Sequence, residues 1–167
     1  MQDYDIYIQY IIIKLYFCEM VKILSKINFD MLLKKSSVVN NNVEEYNYIF
    51  ISIHNSDEIG NLSKPYFNEN KKNVLNLTFD DLEKPIKGKD CILFNDDMAN
   101  EILEFLENNK DVSKCFVHCS AGVSRSGAVG TFVLNFFNWD YKEFRKINSV
   151  IKPNGLVLRK LNRLLWD

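Results

Sequence analysis

A chain of 167 residues, 47% hydrophobic and 13% aromatic, is long enough to close one core and too apolar to stay disordered. Its 21 basic and 22 acidic residues leave a formal charge of −1, which excludes the broad basic surface that nucleic acid demands; anion recognition has to be local. Four cysteines, Cys18, Cys91, Cys115 and Cys119, form no CxxC pair and no regular framework, which argues against a disulfide scaffold or a zinc site and for a reducing, cytoplasmic setting.

The first 19 residues are strongly apolar, yet they open with acidic Asp3 and Asp5, are interrupted by Lys14 and lead to no small-residue cleavage site. They read as neither a signal peptide nor a membrane span, but as an appended segment or an upstream start, with the domain running over residues 20–167. Apolar, β-branched and aromatic runs predict buried strands at Val21 to Leu24, Tyr48 to Ile53, Val74 to Phe79 and Cys115 to His118. The polar stretches Ser36 to Asn47 and Asn55 to Asn73 read as surface loops, with His54 in the loop closing the second strand and bonded locally. From Asn95 to Asn108 an Asn-Asp start precedes Met98, Ile102, Phe105 and Leu106 on one helical face. A further helix follows the fourth strand, with Val129, Phe132, Val133 and Phe136 inward, and others are expected at Tyr141 to Val150 and Leu156 to Trp166, the last packing on the sheet. Strands alternating with helices predict an α/β fold of three layers, a mostly parallel central sheet flanked by helices, with ligands bound where strands end and helices begin.

The segment Cys115-Phe-Val-His-Cys-Ser-Ala-Gly-Val-Ser-Arg-Ser-Gly127 lies at such a junction. It reads as a strand ending in Cys119, five intervening residues (Ser120, Ala121, Gly122, Val123, Ser124), then Arg125 and Ser126 at a helix start. A loop of this length can curl its amides inward and, with the helix N-terminus, form a nest for a tetrahedral dianion. Gly122 and Gly127 allow the tight turn. The same field lowers a thiol below its usual range, leaving Cys119 ionised near neutrality and able to attack phosphorus. Arg125 supplies a planar fork for two phosphate oxygens and keeps its charge throughout. Ser126 is placed to donate to the sulfur. His118, next to Cys119 but facing the other way along a strand, is assigned to holding the loop's shape rather than to acting as a base.

Cleaving an ester also requires a proton for the departing oxygen, and a carboxylic acid on a separate loop is the natural source. Asp80 and Asp81 directly follow the third strand; alternation and position do not separate them, and as turn or capping residues they would need no chemistry at all. Cys115 is too far along the strand to bridge Cys119, and Cys18 and Cys91 read as inert thiols, with a redox-protective role for Cys91 the sharper alternative. Lys34-Lys35 and Lys71-Lys72 read as solvated surface.

The run HCSAGVSRSG resembles the signature, HCx5R, of the protein tyrosine phosphatase superfamily, in the AGxSRSG form of its dual-specificity branch. Leu77-Thr-Phe-Asp-Asp81 resembles that branch's acid loop, which places Asp81 on the acid position, and Pro153-Asn154 resembles the pair that braces the phosphate loop there. Phe50-Ile-Ser-Ile-His-Asn55 together with the acid loop is similar to a compact bacterial and phage group of these enzymes. The likeness spans Met20 to the C-terminus and is strongest from Asp81 to Asn154. Between Asp81 and Asn95 the stretch LEKPIKGKDCILF is longer than in compact relatives, which admits Asp90 as a third candidate acid.

The resemblance implies the cysteine-phosphatase fold and hydrolysis of phosphotyrosine, with phosphoserine and phosphothreonine as further substrates, through a phosphocysteine, with no metal or cofactor. Partners are then phosphorylated proteins or small phosphomonoesters, not nucleic acid or membrane. A non-protein substrate such as a phosphoinositide, an inositol phosphate or an RNA 5′ end ranks second, because the loop interior carries no lysine. A phosphate-binding module without turnover is the third reading; its mark would be the loss of a Cys, Arg or acid.

Overall fold

The computed structural model describes residues 20–58 and 65–165. The expectations for residues 1–19, including Cys18, lie outside the described residues. Four strands, β1 (Met20–Ser25), β2 (Tyr48–His54), β3 (Val74–Thr78) and β4 (Lys114–Cys119), form one sheet in the order β1-β4-β2-β3. Every pairing is parallel, with Val21 opposite Cys115, Phe50 opposite Phe116 and Phe50 opposite Val74. Helix α1 (Lys26–Lys35) follows β1 and α2 (Asp96–Glu107) links β3 to β4, while α3 (Arg125–Phe137), α4 (Tyr141–Ile147) and α5 (Gly155–Arg163) follow the last strand.

Strand alternation sorts the core into two layers. Ile49, Ile51 and Ile53 of β2, with Cys115, Val117 and Cys119 of β4, face the layer of α2, α3, α4 and α5. Phe50 and Val74 face α1, where Phe29 and Leu33 meet Val38, Val43 and Phe67. Phe29 sits at the centre of that second layer, edge-on to Phe50 and Phe67 with centroids 6.3 and 6.2 Å away. The segments 36–47 and 55–73 therefore do more than cover the surface: they bury Val38, Val43 and Phe67, each at most 3% exposed.

Several local expectations are corrected. Helix α1 carries no strong amphipathic stripe and so leaves little trace in the sequence pattern, although Ser25 caps it by accepting from the Asn28 amide and Phe29 and Leu33 recur at helical spacing. His54 ends β2 rather than opening the loop, because the Phe79 amide extends the β3 pairing by donating to its carbonyl at 3.1 Å, and its side chain is buried. Helix α4 stops at Ile147 because Asn148 is used elsewhere: its Oδ1 accepts from the Ile23 amide at 2.8 Å and its Nδ2 donates to the Val21 carbonyl at 2.8 Å, closing part of the free edge of β1. Helix α5 packs chiefly on α3, with α2 beside it, rather than on the sheet.

Two features locate the site. Helices α1 and α3 leave the adjacent strands β1 and β4 toward opposite faces, opening a crevice at their carboxyl ends. Gly130 lets α3 lie against β1, since a Cβ there would come within 2.7 Å of Ile23 Cδ1.

Candidate active site

The loop from Ser120 to Ser124 fills that crevice, and its carbonyls are taken up by neighbours. The Lys26 amide donates to the Ser120 carbonyl at 3.3 Å, the Lys152 amide to Val123 at 3.1 Å and the Asn154 amide to Ser124 at 3.1 Å. Gly122 has φ +73° and lies so close to β1 that a Cβ would fall 2.4 Å from the Ser25 nitrogen. With carbonyls held outward, the amides of Gly122, Val123 and Ser126 turn toward the Cys119 sulfur. Ser124 heads α3 without capping it through its side chain, because its hydroxyl donates instead to Asp81 Oδ1 at 2.7 Å. The first amides of α3 are thereby left for an anion.

Cys119 is 2% exposed and its Sγ lies 3.0 Å from Ser126 Oγ. Burial pushes its thiol up, but the Ser126 hydroxyl and the three amides outweigh burial and hold the group below the ordinary thiol range. His118 points to the opposite face, its ring 4.2 Å from Phe29 and edge-on to His54 at 5.6 Å. Burial, the largest influence, and the neighbouring His54, Lys26 and Arg125 push it down to about 3 against a smaller raising contact with the Cys119 backbone, so the ring is neutral at physiological pH.

Arg125 is 3% exposed, and its guanidinium is shared between the sheet and the loop. Nη1 donates to the carbonyls of Phe79 at 2.7 Å and His54 at 3.3 Å, and Nη2 donates to Ser120 Oγ at 3.1 Å. Its Nε is buried and has no hydrogen-bond partner among the described residues. A buried, charged donor without a partner among the described residues, together with inward amides and a sulfur whose pKa they lower, forms a receptor for a tetrahedral oxyanion. The fold that carries it is α/β, a parallel four-stranded sheet with helices on both faces.

No protein-family model matches the sequence, and no curated protein matches it. Solved structures do resemble the chain. The crystal structure of human tyrosine phosphatase-like serine/threonine/tyrosine-interacting protein is 19% identical, the match covering 78% of this chain and 83% of that one with a TM-score of 0.49. The structure of PTPMT1 in complex with PI(5)P is 18% identical, covering 87% of this chain and 89% of that one with a TM-score of 0.47.

The three candidate acids have different surroundings. Asp81 is exposed, and its Oδ1 accepts from Ser124 Oγ at 2.7 Å and from Asn154 Nδ2 at 2.8 Å, while Oδ2 has no hydrogen bond among the described residues. Asp80 has both oxygens engaged: Oδ1 accepts from the Ser56 amide at 2.9 Å, Oδ2 from the Ile92 amide at 2.8 Å, and Ser56 Oγ reaches both. Burial, the largest single influence, raises Asp80, but these bonds and the Arg125 charge together prevail and hold it below the usual carboxylate range. Asp90 is exposed, and among the described residues no hydrogen bond or ion pair ties it to the loop. The long stretch after Asp81 is an excursion closed at its base by Asp80 and Ile92, which removes the reason for considering Asp90.

Asn154 joins three parts of the site. Its amide holds Ser124, its Nδ2 holds Asp81, and its Oδ1 caps α5 by accepting from the Leu156 and Val157 amides at 3.1 and 3.2 Å. Sequence reasoning missed Ser56, Ile92 and Glu83; the last accepts from the Gly155 amide at 3.0 Å and pairs with Arg159 at 3.5 Å, tying the excursion to α5. Separations of 24, 12 and 72 residues leave no local signal for these bonds. Among the described residues no cluster of three or more His, Cys, Asp or Glu side chains is arranged to hold a metal.

Proposed function

We propose that the chain hydrolyses phosphate monoesters on proteins, phosphotyrosine foremost and phosphoserine or phosphothreonine with it, through a phosphocysteine and without a metal. The observation that carries this reading is the Cys119 sulfur 3.0 Å from Ser126 Oγ and faced by the loop amides, with the buried Nε of Arg125, at the end of the same loop, unpartnered among the described residues. The sulfur attacks phosphorus, Arg125 and the loop amides hold the equatorial oxygens, and Asp81, through its free Oδ2, gives its proton to the departing oxygen as the P–O bond breaks. Water then attacks the phosphocysteine, Asp81 takes the water's proton back, and the thiolate leaves with the Ser126 hydroxyl donating to it. A reducing, cytoplasmic setting suits such a sulfur, since a thiolate is the form that oxidises.

A second reading, a phosphoinositide or another polyanionic non-protein phosphate, draws support from Lys84, Lys87 and Lys89, all exposed on the excursion that starts at Asp81. The test is hydrolysis of p-nitrophenyl phosphate in EDTA and reductant by the wild type and by Cys119→Ser, followed by a panel of phosphopeptides and phosphoinositides. Turnover lost in the variant, with phosphotyrosine peptides preferred, supports the first reading. Preference for the inositol lipids supports the second. A folded wild type that binds phosphate and does not turn it over would replace both with a phosphate-binding module.

A further inference from the structure

The residue beside the acid has an unusual set of bonds. Asp80 follows Phe79, whose carbonyl receives Arg125 Nη1, and precedes Asp81, whose Oδ1 is bound by Ser124 and Asn154. It is fastened three ways: its Oδ1 to Ser56, its Oδ2 to the Ile92 amide, and its own amide to the Ile92 carbonyl at 2.7 Å. The Asp80–Ile92 pair closes the neck of an excursion whose residues 83–90 are all exposed, with Glu83 tied to Gly155 and Arg159 at its start, so these few polar ties rather than packing fix its path. Ser56 belongs to the short turn after β2, and Ile92 to the chain's return toward α2; neither touches the phosphate loop through these bonds.

We infer that Asp80 is a positioning residue that clasps the neck of the acid loop and so holds Asp81 over the phosphate loop. This rests on the phosphatase reading above. Asp80 does not compete with Asp81 for the proton, because both of its oxygens accept bonds that favour the charged carboxylate, whereas Oδ2 of Asp81 accepts none among the described residues. The clasp sets where the next residue starts, and Asn154 and Ser124 then fix where its carboxyl ends. Because Phe79, Asp80 and Asp81 are consecutive, the same short segment touches the arginine clamp, the neck of the loop and the proton donor. A shift at Asp80 moves the donor before it moves the clamp, since Phe79 is also held by its amide bond to His54.

The discriminating readout is sensitivity to the leaving group. Phenyl phosphate needs its departing oxygen protonated, and p-nitrophenyl phosphate hardly does. A group acting through Asp81 changes their ratio, whereas one acting through Arg125 or the fold slows both alike. A well-placed general acid is worth about 10²–10⁴-fold, so loosening it through Asp80→Asn is expected to cost phenyl phosphate about tenfold more in kcat/KM than p-nitrophenyl phosphate. In an Asp81→Asn background the same change is expected to alter that ratio by less than about twofold, because the donor it positions is already gone. Should Asp80→Asn not fold, Ser56→Ala removes the hydroxyl arm and leaves the Ile92 arms; it is expected to change the ratio in the same direction by about threefold.

Equal loss on both substrates, an unchanged ratio in whichever of the two variants folds, or full additivity with Asp81→Asn would overturn the inference while leaving Cys119-dependent turnover intact. Turnover that survives Cys119→Ser, or a wild type with none, would remove the phosphatase reading itself and this inference with it.

Discussion

Replacing Gly122 with alanine puts a methyl group where the phosphate loop meets β1. The new carbon would lie 2.4 Å from the Ser25 nitrogen, 2.5 Å from the Leu24 carbonyl carbon and 2.7 Å from the Leu24 oxygen, against an ordinary contact of 3.4 Å or more. All three atoms are backbone in β1 and its junction with α1, so no side chain can swing away; the loop must lift by about 1 Å or the strand must yield. Holding alanine at φ +73° costs about 1–3 kcal/mol, and forcing extra volume into a packed contact costs a similar amount. A net loss of about 3 kcal/mol lowers Tm by roughly 10 °C in a domain of this size. If the loop lifts instead, its amides and Cys119 leave register, and a 1 Å misplacement costs about 10²-fold in kcat/KM. Thermal melting together with p-nitrophenyl phosphate kinetics on Gly122→Ala reads both routes. A variant within about twofold of wild-type activity and within about 1 °C in Tm would refute the reasoning, since the contact leaves no third place for the methyl group.

Other outcomes follow from the same geometry. Ser126→Ala removes the hydroxyl 3.0 Å from Sγ, so the Cys119 pKa rises, the acid limb of the kcat/KM profile moves to higher pH and phosphoenzyme accumulates in a rapid-quench burst; kcat falls about tenfold to a hundredfold. An unmoved acid limb would show that the amides alone set the thiolate. Arg125→Lys loses the fork to phosphate and strands the Phe79 and His54 carbonyls, so kcat/KM falls at least about a hundredfold and Tm drops with it, measured by the same pair of assays. His118, pushed down to about 3 from an ordinary 6.5, is neutral in the folded state, whereas the unfolded chain protonates it. Stability therefore falls as pH drops below 6.5, by about 1.4 kcal/mol per unit. Unfolding free energies from denaturant titrations at pH 7 and pH 5 should differ by about 2 kcal/mol more for wild type than for His118→Gln, and equal differences would count against the buried neutral ring. Asn154→Ala loses the α5 cap, worth about 1 kcal/mol, together with a donor to Asp81, so it should destabilise the fold and slow phenyl phosphate more than p-nitrophenyl phosphate.

Periodicity by itself determined the four strands, four of the five helices and the α/β layering, because buried strands and amphipathic helices write their burial into the local pattern. The pentapeptide between Cys119 and Arg125, with Gly122 and Ser126, likewise made the phosphate loop legible, since its chemistry is carried by consecutive residues. Helix α1 escaped because only Phe29 and Leu33 are fully buried along it, too sparse a stripe to stand out. Tertiary structure alone separated Asp80 from Asp81. The two are identical, adjacent side chains at one strand end, and what distinguishes them comes from Ser56, Ile92, Ser124 and Asn154, 12 to 73 residues away. The same holds for Arg125: its charge was evident in the sequence, but the orientation of its fork is set by the carbonyls of Phe79, just past β3, and His54, at the end of β2, which only the parallel pairing of those strands brings beneath it.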